Sequence, residues 1–232
     1  MTELITDGAS VSGLLEQWRA FQVEKRYELG AGRYVETVKA ECGTLAYRGE
    51  PEPVVPANGF DLGPATLTVN AYNALVLNSP NLLIADIDEG DPGFSVSGSG
   101  LDEAGVIASL GDLPLFDAEF ETNFSAASWK VYETHSGWRL ICTSHRVNRD
   151  NFFDALRLLR FLRSDPQYIE LCDLQQCFRA RLTPKPWRDC GDGSCVCRLI
   201  HQFGSEVAPE LESQIWLHDE LTLPATGRER LA

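Results

Sequence analysis

The stretch Asn81-Leu82-Leu83-Ile84-Ala85-Asp86-Ile87-Asp88 is a nearly continuous apolar run closed by two acids, and Gly90-Asp91-Pro92-Gly93 follows it. An apolar run of this length bounded by turn residues predicts a buried strand entering a loop. Side chains alternate along a strand, so Leu82, Ile84, Asp86 and Asp88 share one face and Leu83, Ala85 and Ile87 the other. The two carboxylates therefore leave the strand on the same side. Like charges so placed raise each other's pKa unless a cation or a guanidinium neutralises them. A hard divalent ion does this, because magnesium takes one or two protein carboxylates together with substrate phosphates. Asp86 and Asp88 are thus the candidate catalytic pair and the candidate ligands of Mg²⁺ or Mn²⁺. The alternative is an acidic strand exit, continued by Glu89 and Asp91, with no chemistry attached.

Working outward, Trp129 to Thr134, the turn His135-Ser136-Gly137 and Trp138 to Ser144 predict a hairpin of alternating residues. Arg139, Ile141, Thr143 and His145 share a face of its second arm, which makes His145 the better catalytic candidate of the two nearby histidines. Cys177 to Leu182 alternates again, so Arg179 and Arg181 leave one side, with Lys185 and Arg188 following in the turn. Cys195 to Phe203 predicts a further strand. Helices are expected behind a capping Ser12 (Leu14, Leu15, Trp18, Phe21), over Leu101 to Leu110, over Asp150 to Arg163 with Phe153, Leu156 and Leu159 inward, from Asp165-Pro166, and over Glu210 to Leu221. Strands and helices in this irregular order predict an α+β fold with a mixed or mainly antiparallel sheet and flanking helices. A length of 232 residues favours a single domain over 1–232. The Pro- and Gly-rich connection from Tyr47 to Pro64 leaves residues 1–64 as a possible N-terminal elaboration.

The run Leu82 to Asp88 resembles the first metal motif of archaeo-eukaryotic-type primases and primase-polymerases, in which a hydrophobic strand ends in acid-x-acid. Thr134-His135-Ser136-Gly137-Trp138-Arg139-Leu140-Ile141 is similar to that family's second motif, a Thr-x-Ser-Gly-Gly-Arg-His turn opening a strand. The resemblance covers about 60 residues. It implies an RRM-like core and metal-dependent nucleotidyl transfer or nucleotide binding, with Arg139 retained. Trp138 stands in place of the second glycine and Leu140 in place of the nucleotide-binding histidine, and no third acidic motif is legible.

Arg139, Arg179, Arg181, Lys185 and Arg188 form the candidate phosphate-binding set, since a planar guanidinium takes phosphate oxygens in pairs. The alternative is internal neutralisation of acids. The net charge is −14, and all of the excess lies in residues 1–128, which hold 6 basic and 20 acidic residues against 14 of each in 129–232. A nucleotide or nucleic acid would therefore meet a local basic patch, and a basic protein partner would meet the acidic N-terminal half. That second reading is a non-catalytic interaction protein. A third is a metal-dependent nuclease using Asp86, Asp88 and Glu133 with Lys130. Cys177, Cys190, Cys195 and Cys197 form a candidate structural zinc set, although Cys-x4-Cys and Cys-x-Cys are not the paired Cys-x2-Cys of zinc knuckles, and buried unliganded thiols are the alternative. The N-terminus lacks a secretory pattern and no apolar run reaches the ~20 residues of a membrane span, so the expected location is cytoplasmic, without membrane contact or disulfides. Phosphate-loop, dinucleotide and nucleophile-elbow motifs are absent.

Overall fold

The computed structural model describes residues 10–19, 52, 54–57, 59–70, 74–89, 100–184 and 197–223. Within them the fold is α+β, and every strand pair is antiparallel. One four-stranded sheet has the order β1 (Val54–Val55), β2 (Thr66–Val69), β3 (Leu75–Ser79), β7 (Phe178–Arg181). The other has the order β4 (Ile84–Asp88), β6 (Gly137–Cys142), β5 (Trp129–Thr134), β8 (Cys197–Phe203). Edge strands β4 and β7 face each other without pairing, and side chains bridge them. Tyr168 Oη donates to the Ile84 carbonyl at 2.8 Å and accepts from the Arg179 N–H at 3.1 Å.

The helices are α1 (residues 11–19), α2 (Glu103–Gly111), α3 (Leu113–Phe120), α4 (Phe152–Phe161), α5 (Pro166–Gln175) and α6 (Glu212–Thr222). Ser10, rather than the expected Ser12, caps α1: its Oγ accepts from the Gly13 N–H at 3.0 Å, satisfying one of the donors that a first helical turn leaves unpaired. Asp102 caps α2 in the same way through Gly105. The unexpected α3 restarts at Pro114, whose fixed φ suits a first turn and whose missing N–H costs nothing there. In α4 the buried stripe runs through Phe152, Ala155, Leu156 and Leu159, so Phe153, expected inside, shares the Arg157 and Arg160 side and is 65 % exposed. Asp165 and Pro166 open α5 as expected.

Strand β4 keeps the predicted parity. Ala85 and Ile87 are buried on one face, while Ile84, Asp86 and Asp88 share the other. Where β4 ends, Asp88 lies opposite Gly137, and a Cβ at 137 would stand 2.0 Å from the Ile87 carbonyl oxygen. With φ at 152° as well, only glycine fits this approach. No helix among the described residues is long and apolar enough to cross a membrane.

Candidate functional site at the acidic edge of β4

Antiparallel register sets Asp86, Arg139 and Tyr132 side by side across β4, β6 and β5. Directly opposed residues in such a pair share a face, so the guanidinium meets the carboxylate. Arg139 Nε donates to Asp86 Oδ1 at 3.3 Å. Its Nη1 donates to the Arg181 carbonyl at 3.1 Å and approaches His218 Nε2 at 3.4 Å and Cys197 Sγ at 3.9 Å. Beyond His218 the chain of polar groups continues. His218 Nδ1 lies 3.0 Å from Asp219 Oδ1, which also accepts from Tyr132 Oη at 2.6 Å, while Asp219 Oδ2 accepts from Lys130 Nζ at 2.6 Å.

The proton positions follow from donor capacity. Arginine has no acceptor, so His218 Nε2 presents its lone pair to Arg139, and Nδ1–H then donates to Asp219. Burial holds His218 below its ordinary pKa against the pull of Asp219, and Arg139 and Lys130 add to that depression. Burial opposes the charge on Arg139, but Asp86, with Cys197 and Tyr168 adding to it, outweighs burial, and the guanidinium sits above its usual value. Burial likewise pushes Asp219 up, yet the hydrogen bond from His218 and the charge and hydrogen bond of Lys130 hold it below the usual carboxylate range. Two anions, two cations and a neutral imidazole thus compensate one another out of water, the condition under which buried charge is tolerated.

A third carboxylate reaches the same edge. Asp165 caps α5 by accepting from the Gln167 N–H at 2.9 Å, and its own N–H donates to the Asp86 carbonyl at 2.9 Å. Burial raises its pKa, and the charges of Asp88 and Asp86 raise it further. Of the three, Asp86 is the one that Arg139 ion-pairs. In the sequence, Asp165 is legible only as the start of a helix at Pro166.

Other predicted site residues lie elsewhere. His145 stands past the end of β6, where Val147 donates to the Asn81 carbonyl at the start of β4, the end away from the acids. Its ring packs on Phe124 at 4.9 Å and faces Asn151, and burial lowers its pKa with Asp117 opposing. It is not brought to Asp86. Arg179 is ion-paired with Glu52 and bonded to Gln175. Arg181 shares that side of β7, and among the described residues its guanidinium has no ion-pair partner. The nuclease set comes apart by parity: Glu133 lies opposite Trp138, on the face away from Asp86, and pairs with Arg198 at 2.6 Å, while Lys130 is held by Asp219. Leu140, at the family histidine's position, is fully buried beside Ala85 on that same opposite face.

Cys197 lies under Arg139, whereas Cys177 sits near Arg179 and Glu52. Cys190, Cys195, Lys185 and Arg188 lie outside the described residues. Among the described residues no group of three or more His, Cys, Asp or Glu side chains is arranged to hold a metal ion. Comparison of the chain with protein-family models, with curated proteins and with solved structures finds no match in any of the three.

Proposed function

We propose that the chain is a primase-like domain that binds nucleotides through a divalent cation at Asp86 and Asp88, without performing nucleotidyl transfer. The observation that carries the reading is the meeting of three carboxylates at one strand end: Asp86 and Asp88 share a face of β4, and Asp165 lies within the fields of both. Such a cluster stores like-charge repulsion that Mg²⁺ or Mn²⁺ relieves, and a bound nucleotide's phosphates complete the ion's shell. Arg181 is the arginine left to take phosphate charge among the described members of the set, since Arg139 and Arg179 are already paired. Transfer is left out because a core leucine stands at the position of the family's nucleotide-binding histidine, so the phosphate contact that histidine supplies is lost.

Calorimetric titration of the full chain with Mn²⁺, and then with a nucleoside triphosphate and Mn²⁺, tests this. Asp88→Asn is the informative variant, because Asp86 also anchors Arg139. Wild-type binding weakened at least tenfold by Asp88→Asn, at unchanged melting temperature, supports the reading; no cation-dependent binding by the wild type ends it.

A second reading draws on the same arginines. With Arg139 and Arg179 consumed by Asp86 and Glu52, phosphate-binding charge is scarce, and a non-catalytic protein whose acidic half engages a basic partner is favoured. Partner capture that falls steeply with salt, together with absent nucleotide binding, selects it.

A further inference from the structure

Helix α5 ends in a left-handed residue, Gln176, with φ at 53°. The N–H groups of both Gln176 and Cys177 then turn back to the carbonyl of Cys172, the latter at 3.3 Å. In this six-residue closure the side chains at the first and last positions commonly come into contact. Those two side chains are the thiols of Cys172 and Cys177, both free, the first buried and the second half-buried. One backbone hydrogen bond of this length keeps the two Cα atoms less than about 7 Å apart, within reach of a disulfide. Cys172 feels the charge of Cys177, and its thiol lies close to the Tyr168 hydroxyl one turn earlier on the helix.

We propose that Cys172 and Cys177 are a reversible redox pair, closed by exchange with a small-molecule disulfide of the glutathione type. The accessible Cys177 thiolate attacks one sulfur of the small disulfide and expels one thiol. Cys172, as thiolate, then attacks the Cys177 sulfur and expels the second. Two protein thiols lose two protons and two electrons, and the small disulfide is reduced to two thiols. Burial pushes Cys172 up to about 12 and raises Cys177, against the pull of Arg179, so exchange is slow at neutral pH and accelerates as pH rises. Closure takes the Cys172 sulfur away from Tyr168, the hydroxyl that ties β4 to β7. The oxidation state of the α5 terminus is thereby felt at the strand that carries Asp86. This pair stands independently of the nucleotide-binding proposal.

Both cysteines fall within one tryptic fragment, residues 164–179, because no lysine or arginine separates them. The native full chain is equilibrated in glutathione buffers of graded potential, quenched by alkylation in denaturant, digested and weighed. The expected result is conversion of this fragment, in one transition, from doubly alkylated to unalkylated and lighter by two hydrogens. Cys172→Ala is expected to leave Cys177 as a glutathione adduct instead. The proposal is overturned by a fragment that stays doubly alkylated, by an adduct at Cys177 alone in the wild-type chain, by bridges to other fragments, or by closure only after unfolding.

Discussion

Arg139 keeps its charge at 2 % exposure, and it can do so because each neighbour supplies what a guanidinium lacks: a carboxylate from Asp86, a carbonyl from Arg181 and a lone pair from His218. The imidazole is the weak point of this arrangement. A proton on His218 Nε2 would turn its acceptor into a donor aimed at a cation 3.4 Å away, with Lys130 on the far side of Asp219 adding to the repulsion. The folded-state pKa of His218 is depressed, so the unfolded chain binds the proton more readily. Stability is then complete above the unfolded histidine value of about 6.5 and declines as pH falls below it toward the folded value. His145, also depressed by burial, contributes with the same sign. In urea unfolding between pH 7.5 and 5, the wild type is expected to lose stability steadily, and His218→Gln, whose amide oxygen can still accept from Arg139, is expected to lose less. Parallel pH profiles for the two proteins would assign the decline to His145 instead.

At the scale of elements, α5 brings its N-terminus against the edge of β4, so that Asp165 both caps a helix and crowds two acids. The cap and the helix dipole favour its charge, while burial and its neighbours oppose it. Since the folded pKa lies above the unfolded one, the ionised group costs stability once pH exceeds that folded value, and the cost disappears in acid. Asp165→Asn retains the capping oxygen, so the variant is expected to match or exceed wild-type stability at pH 7 and to lose that advantage at pH 4; thermal melts at the two pH values check it. This is also where sequence and structure part company. Residues 84–88 and the 129–142 hairpin were legible because a period of two fixes which side chains share a face, and a short turn fixes the register. Asp165 was not, since its approach to Asp86 depends on how a helix docks 79 positions further along. The placement of His218 had a signal in principle: Leu211, Ile215 and His218 fall on one helical stripe with Leu221 and Thr222, all buried. A histidine on an apolar stripe calls for buried partners; Asp219 is its neighbour in sequence, but only the docking of α6 against the sheet reveals Arg139. His145 shows the converse: strand parity carries no information past Cys142, where β6 ends.

Across the whole molecule, two antiparallel sheets meet at edges that do not pair, and exposed edge groups out of water must find other partners. Tyr168 provides them. Its hydroxyl satisfies a carbonyl of β4 and an N–H of β7 at once, from a ring fully embedded in the surrounding core, and burial keeps the phenol proton firmly in place. Tyr168→Phe preserves the packing but strips both backbone groups of their partner. Each buried group left unpaired costs about 1–3 kcal/mol, so a loss of about 2–6 kcal/mol in urea unfolding is expected, set above the effect of an ordinary exposed hydroxyl. The location of the loss carries more information than its size. If this oxygen is what couples the sheets, amide exchange in the variant accelerates at Arg179, whose N–H is the orphaned donor, and along β7. The β5–β6 hairpin, which closes its ladder without Tyr168, keeps its protection. Uniform acceleration across both sheets would instead mean that the molecule unfolds as one unit, with Tyr168 contributing to its total stability and not to the joint between its halves.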